Sequence, residues 1–189
     1  MSDDGRTWTF ELRNDVQFHD GEPFTADGMA FSLRRAFDDS LSTIPVESVK
    51  AIDDTTLEIT TARPFAPLLA HLTRRKAVAM SPASVNNGSV EEPVGTGPFV
   101  FDSWASEAGN ITLKRNEEYY DGQPNVSELV YENVDDGQTR ELKLRNDELD
   151  LATQIAPSAV GRLEDDEGTK VQTYETPRLR YFSFNVEEP

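Results

Sequence analysis

The sequence contains no cysteine among its 189 residues. Disulfide frameworks, zinc sites with cysteine ligands and thiol nucleophiles are therefore excluded. Long apolar runs are also missing, because no stretch approaches the ~20 residues that a helix needs to cross a bilayer. A hydrophobic content of 37% is nevertheless enough to build a buried core. We therefore expect a folded chain that is stabilised by packing and carries no covalent cross-links.

Basic residues are scarce, with 18 lysines and arginines against 35 aspartates and glutamates and a net charge of −17. Contacts with nucleic acid phosphates and anionic membrane surfaces depend on lysine and arginine, so we expect neither as a partner. The acidic residues are spread along the whole chain. This pattern is typical of a surface adapted to high salt, where mobile ions screen self-repulsion. The alternative is an ordinary acidic surface.

Histidine is almost absent, and the two examples are His19 and His71. A Ser-His-Asp triad could be assembled on paper, but no Gly-x-Ser-x-Gly motif supports it. We expect His19 to be a solvent-facing hairpin residue and His71 to lie on a helix. Paired acids such as Asp53 and Asp54 arise by chance in so acidic a chain, and no calcium-loop pattern surrounds them. No catalytic residue, metal ligand or cofactor is predicted.

Alternating apolar residues predict a strand over Thr7–Arg13, in which Trp8 and Phe10 share one face. Asn14–Asp15 then turn the chain, the alternation resumes, and Asp20–Gly21 supplies the residues of a second turn. A β-hairpin built from these two segments is the simplest interpretation.

A helix is predicted next, with Thr25 as its N-cap. Its apolar residues fall on one face, and they are Met29, Ala30, Leu33, Ala36 and Phe37. Pro64 is expected in the first turn of a second helix. Further strands are expected within 49–61 and at 99–104, 111–115, 126–133, 170–175 and 179–185, and further helices at 64–72, 137–145 and 157–163. The alternation of short strands and helices predicts a mixed α/β (α+β) fold.

Five short motifs carry a resemblance to a known family. They are WTFELR at 8–13, FHDGEP at 18–23, TADGM at 25–29, PVGTGPF at 93–99 and RNEEYY at 115–120. They resemble motifs of the extracytoplasmic solute-binding proteins of peptide and nickel ABC importers, family 5. Three positions depart from the pattern. Gly28 replaces an acidic residue, and Tyr120 replaces a tryptophan. In a further similar motif, NDELDL at 146–151, Asp147 replaces a glycine that we expect in a left-handed position after a helix.

The resemblance implies part of a class II periplasmic binding protein fold. It divides the chain into a smaller lobe at residues 1–82 and the first part of a larger lobe at residues 83–189, with a crossover near Ser81. Family members are longer, so we expect the chain to be a middle piece of a protein whose start and C-terminal portion lie outside it. The implied protein is extracytoplasmic and is anchored to the membrane by a lipid that this piece lacks.

The implied function is binding of a dipeptide or oligopeptide by hinge closure, followed by delivery to the transmembrane permease subunits of an ABC importer. A nickel- or sugar-binding member of the same family remains an alternative, and a hydrolase is the alternative from another class. The resemblance implies no catalytic role and no cofactor.

Three residues are expected to contact the solute. The chain has one dense basic cluster, Arg74 to Lys76, whose two guanidinium groups suit a ligand carboxylate. The alternative, which the sequence favours, is that the cluster pairs with local acids. The resemblance implies that Arg75 faces the cleft and that Gln154 offers a side-chain amide to the ligand backbone. It places Tyr181 near the lobe interface, where the same aromatic ring would also suit a core.

The charge pattern generates a test of the high-salt hypothesis. Because molar KCl screens repulsion among the surface carboxylates, we expect the melting temperature to be higher in molar KCl than in a low-salt buffer. Thermal unfolding followed by circular dichroism measures this difference. Equal stability in the two buffers would contradict the hypothesis and leave an ordinary acidic surface.

Overall fold

A computed structural model describes residues 1–39, 43–86, 88–90, 92–105 and 109–175. The chain divides into two compact units, Met1–Glu132 and Asn133–Pro189. Strands and helices alternate in the first unit, and the described part of the second contains two helices. The predicted mixed α/β fold is confirmed. The division into lobes at residues 82 and 83 stays a prediction, because compactness of these units does not test it.

The first sheet consists of β1 (Thr7–Glu11), β2 (Val46–Ala51) and β3 (Thr56–Thr61), in the order β1-β3-β2. All neighbouring strands are antiparallel, and Trp8 of β1 lies opposite Ile59 of β3. The prediction that β1 forms a hairpin with the segment after Asn14 is therefore wrong. Alternation identifies a strand but not its partner, and β1 finds the matching apolar face on β3, about fifty residues away.

The segment after β1 folds back on itself instead. Gln17 and Pro23 form an isolated antiparallel bridge, and the Phe24 N–H donates to the Val16 carbonyl at 3.0 Å. The predicted turn at Asp20–Gly21 is confirmed, because Gly21 has a φ of 86° and its N–H donates to the Phe18 carbonyl at 2.9 Å. This tight loop presents residues 19 and 20 to the rest of the first unit.

Helix α1 (Ala26–Asp39) is capped as predicted, since the Thr25 hydroxyl accepts the Gly28 N–H at 3.3 Å. Its apolar face packs on the first sheet, and its fully buried members include Ala30 and Leu33. Packing explains the glycine at position 28, because a Cβ there would lie only 3.3 Å from the Phe18 ring. An acidic side chain at this position, as in the family pattern, would require the ring to shift slightly.

Helix α2 (Leu68–Leu72) is shorter than predicted. Pro64 lies outside it, because the following Phe65 N–H donates to the Gly5 carbonyl at 3.4 Å and ties this segment to the N-terminal turn. The Phe65 ring then stacks on His71, with 5.5 Å between ring centroids. A single 3-10 turn over Pro82–Ser84 follows, and then the two-residue strands β4 (Val85–Asn86) and β5 (Ser89–Val90).

The second sheet of the first unit consists of β6 (Phe99–Ala105), β7 (Asn110–Arg115) and β8 (Glu128–Tyr131), all antiparallel in the order β6-β7-β8. These strands confirm the predicted ones within a few residues. A register shift after Phe101 places its ring beside Trp104, with 5.1 Å between centroids. Cross-strand pairing then groups the apolar side chains in two rows, Phe101 with Leu113 and Leu129, and Trp104 with Ile111 and Tyr131.

The second unit is built on α3 (Gly137–Arg145) and α4 (Pro157–Glu164), as predicted. Asp136 caps α3 by accepting the Thr139 N–H at 2.8 Å. Within the described residues, the strand predicted at 170–175 is absent and the segment is irregular. The strand predicted at 179–185 lies outside the described residues.

The end of α3 explains Asp147. Its φ is 58°, its N–H donates to the Leu144 carbonyl at 3.3 Å, and the Glu148 N–H donates to the Lys143 carbonyl at 2.9 Å. This pair of bonds is the Schellman motif, which needs a left-handed residue after the helix. The predicted left-handed position at Asp147 is confirmed.

Substitutions at Asp147 test this assignment. We expect Asp147→Gly to raise the free energy of unfolding by about 0.5–1 kcal/mol, because glycine adopts positive φ without steric cost. Asp147→Ala should lower it by a similar amount, roughly 0.5–1 kcal/mol, because alanine has neither that freedom nor a polar side chain. Urea unfolding of the three chains measures the order. An alanine variant as stable as the glycine variant would contradict it.

Candidate functional site

The segment that joins α2 to the second sheet is anchored at two successive residues. The Met80 N–H donates to the buried Ser32 hydroxyl of α1 at 2.9 Å. Ser81 is fully buried, its hydroxyl donates to Asp20 Oδ2 at 2.6 Å, and its N–H donates to the Val94 carbonyl at 2.9 Å. Residues 80 and 81 are therefore fixed to α1, to the Asp20–Gly21 turn and to the glycine-rich loop, residues 93–98, that precedes β6.

His19 belongs to the same set of contacts, and its predicted solvent-facing position is wrong. Its backbone N–H donates to the Gly95 carbonyl at 2.9 Å. On the ring, Nδ1 accepts the Gly95 N–H at 3.4 Å, which assigns the proton to Nε2, and Nε2 donates to the Gly97 carbonyl at 3.0 Å. Both ring nitrogens are engaged with backbone.

These contacts also decide between two interpretations of the glycine-rich loop. Two glycines within three residues could present N–H groups to an anion, but the Gly95 N–H already donates to the His19 ring. Residue 99 then begins β6. A tight turn into a strand therefore describes this loop.

Arg75 lies in a turn after α2 and lines a concave site of about 280 Å³ between α1 and the anchored segment. Two further cations, Arg35 and Lys76, line the same site, together with Ser32 and Met80. Arg35 is held in place, because its Nη2 donates to the Gly88 carbonyl at 3.3 Å and its Nη1 lies 3.8 Å from the Met80 sulfur.

The alternative that Arg75 pairs with local acids finds no support in the described part of the chain. No ion pair or hydrogen bond of its side chain occurs there, and the side chain is exposed. In a chain with a net charge of −17, an arginine without a carboxylate partner at a concave site is available to an anionic group.

Gln154 lies in the second unit, in the irregular segment between α3 and α4, and is exposed. Its backbone is left-handed, with a φ of 57°. Its carbonyl accepts a hydrogen bond from Arg140 Nη2 at 3.0 Å. Because this bond spans fourteen residues, no local pattern in the sequence points to Arg140. The third predicted contact, Tyr181, lies outside the described residues.

An ion pair between buried Glu141 and exposed Arg162 fixes α4 on α3. Glu141 is 6% exposed, and its two carboxylate oxygens accept hydrogen bonds from Arg162 at 2.9 Å and 2.7 Å. The Arg162 guanidinium holds the pKa of the Glu141 carboxyl below its ordinary value. The pair therefore depends on an ionised Glu141. It joins the two helices between which the Gln154 segment runs.

The described ranges contain neither a metal cluster nor a membrane-spanning helix. No group of three or more His, Asp or Glu side chains comes close enough there to hold a metal ion. No helix in those ranges is both long and apolar enough to span a membrane.

A profile of the bacterial extracellular solute-binding proteins, family 5 Middle, matches residues 1–189. The chain therefore belongs to family 5 of the bacterial extracellular solute-binding proteins. This family consists of proteins that bind solutes outside the cytoplasm. The mixed α/β fold described above is the class II-like fold of the family.

Two curated relatives come from Escherichia coli. The glutathione-binding protein GsiB is 30% identical over 98% of this chain, and the probable D,D-dipeptide-binding periplasmic protein DdpA is 26% identical over 97%. The match covers 38% of each relative. The chain thus spans little more than a third of the length of these relatives.

Solved structures agree with this assignment. The nickel ABC transporter protein of Bacillus halodurans superposes with a TM-score of 0.78 and 29% identity, over 88% of this chain and 35% of that one. DppA from Helicobacter pylori, in complex with the peptide STSA, superposes with a TM-score of 0.75 and 29% identity, over 87% of this chain and 38% of that one.

The Glu141–Arg162 pair predicts a specific pH dependence. Because the folded pKa of Glu141 lies below its unfolded value of about 4.3, its contribution to stability is complete above that value and is lost as the pH falls through the folded pKa. We expect carbon-13 NMR titration of the Glu141 carboxyl to show the lowered pKa, and Arg162→Gln to raise it. An unchanged titration in Arg162→Gln would contradict this cause.

Proposed function

We propose that the complete protein is the solute-binding component of an ABC importer and that its solutes are peptides or small peptide-like molecules bearing a carboxylate. Family membership supports a solute-binding role, and similarity to a glutathione-binding and a probable dipeptide-binding protein supports this solute class. The observation that carries the proposal is that Arg75, which has no ion pair within the described residues, lies at a concave, cationic site in a strongly acidic chain.

The proposed binding chemistry follows from the groups available. Arg75 presents a planar fork of donors that matches a carboxylate with two parallel hydrogen bonds. The Gln154 amide presents one donor and one acceptor, which complement a peptide group of the solute. Tyr181 would add an aromatic surface. Such backbone-directed contacts bind peptides of many sequences, because they do not depend on the solute's side chains.

Delivery requires release as well as capture. Hinge closure around a ligand is established for periplasmic binding proteins as a class. We propose that the smaller lobe at residues 1–82 and the larger lobe that starts at residue 83 close in this way, and that transmembrane permease subunits accept the solute. The full protein would act outside the cytoplasm and be held at the membrane by a lipid anchor.

A catalytic role is not part of this proposal. The imidazole of His19 has both nitrogens occupied by Gly95 and Gly97, and Ser81 uses its hydroxyl proton to bind Asp20. A general base with a free nitrogen and a serine with an available proton are needed for triad chemistry. These contacts give the hydrolase alternative no support.

A nickel chelate is the second candidate solute. The observation that favours it is the similarity to the nickel ABC transporter protein of Bacillus halodurans. A chelate made from histidine or another amino acid would still offer carboxylates to Arg75, so the same pocket would serve both classes of solute.

Calorimetry on the full-length protein tests the function. The probes are a dipeptide, its C-terminal amide, glutathione and the nickel–histidine complex. We expect micromolar binding of the dipeptide or glutathione, and a loss of about ten- to hundredfold in Arg75→Ala, because a hydrogen-bonded charge is removed. The present chain alone should bind weakly, since both lobes contribute to the site.

Arg74→Ala is the matched control, because Arg74 is adjacent and exposed but does not line the pocket. It should leave affinity within about twofold, as surface charges usually do. If Arg75 binds the carboxylate of the solute, the dipeptide amide should have the same affinity for Arg75→Ala and for the wild type. Failure of the full-length protein to bind any probe, or undiminished affinity in Arg75→Ala, would contradict the proposal.

A further inference from the structure

Gln154 adopts a backbone conformation that its own neighbourhood does not explain. Among the described residues other than glycine, only Asp147 and Gln154 have a positive φ. Asp147 closes the C-terminus of α3 in a Schellman motif, so helix geometry accounts for it. Gln154 does not lie at a helix end, because the next helix, α4, begins at Pro157 with Ala156 as its N-cap. A glutamine in this region of φ and ψ has to be held there by tertiary contacts.

Arg140 supplies the contact. Its Nη2 donates to the Gln154 carbonyl at 3.0 Å, while its Nη1 donates to the carbonyl of Val134 and, at 3.4 Å, to that of Asp135. One guanidinium therefore joins the loop that enters α3 to the segment that precedes α4. Its Nε is buried and has no hydrogen-bond partner within the described residues. The hydrogen bonds of this side chain are therefore made by its two terminal nitrogens, and they go to main-chain carbonyls.

Arg140 stands on a capped helix. Arg140 lies in the first turns of α3, whose start is fixed by Asp136, which accepts hydrogen bonds from the N–H and the hydroxyl of Thr139 at 2.8 Å and 2.7 Å. A planar fork can reach carbonyls on two loops at once, whereas the ammonium of a lysine is a point charge on a flexible stem. The geometry therefore calls for arginine and not for any cation.

We propose that Arg140 is the positioning residue for Gln154: it holds the Gln154 peptide unit in its left-handed turn so that the side-chain amide is presented to the solute. The inference rests on the proposed function. The Gln154 carbonyl is occupied by Arg140, so the side-chain amide supplies the acceptor that this residue can offer to a solute, together with a donor. Its donor and acceptor select a solute that carries an amide bond, regardless of the side chains beside it.

The first experiment measures dipeptide affinity in the full-length protein by calorimetry for Arg140→Met, Arg140→Lys, Gln154→Gly and the Arg140→Met/Gln154→Gly double variant. We expect both Arg140→Met and Gln154→Gly to lose about tenfold, as one well-placed hydrogen bond is lost. The double variant should lose no more than either single variant, because both remove the same contact. Arg140→Lys should behave like Arg140→Met, since the fork is missing.

Arg145→Met is the matched control. Arg145 lies on the same helix and binds Asp166 at 3.0 Å, so its loss removes a structural ion pair without touching the Gln154 segment. We expect lower stability but affinity within about twofold of wild type. Affinity losses that multiply in the double variant, or a loss in Arg145→Met as large as that in Arg140→Met, would overturn the proposal.

A second measurement separates this inference from the proposed function. Backbone chemical shifts and the HN–Hα coupling of glutamine-labelled full-length protein report whether residue 154 is left-handed, with or without a solute. We expect the left-handed signature to disappear in Arg140→Met and Arg140→Lys and to persist in Arg145→Met. Its persistence in Arg140→Met would overturn the positioning role even if dipeptides bind, whereas absent binding with the expected shifts would count against the proposed function alone.

Discussion

The packing of α1 on the first sheet is the constraint on which the rest of the first unit depends. Leu33 and Ala30 are buried against the sheet together with Leu57 and Ile59 of β3, and burial of this kind is the main favourable term in folding. Once that face is fixed, the rotation of the helix is fixed as well. The neighbouring face then directs Ser32 toward residue 80, so the same helix that completes the core also forms one wall of the cationic pocket.

Several arginines in this acidic chain make structural contacts that depend on a planar guanidinium, which lysine lacks. Arg34 binds the Val49 carbonyl with two nitrogens, at 2.9 Å and 2.6 Å, and ties α1 to β2. Arg140 joins two loops through carbonyls, and Arg162 forms a paired fork with Glu141. Each uses the planar geometry of the guanidinium. Within the described residues, Arg75 lacks such a protein partner, and this is what distinguishes a group available to a solute from one already used by the fold.

Much of the fold could be predicted because its signals are local. The cap at Thr25, the left-handed position at Asp147 and the two helices of the second unit depend on residues within one or two turns of each other. Two of the errors have a common cause, since each involved a partner far along the chain. The strand at Thr7 pairs with β3 and not with the next segment, and Pro64 is drawn out of a helix by the N-terminal turn.

The sequence by itself determined the composition of the chain, the family to which its motifs belong, and the residue types that a solute site could use, because these depend on short motifs and on charge. Only the tertiary structure decided that the His19 ring is engaged by the glycine-rich loop, that Arg75 has no carboxylate beside it in the described residues, and that Arg140 donates to the Gln154 carbonyl. These are contacts between groups separated by many residues, and their geometry exists only after the helices and sheets have packed.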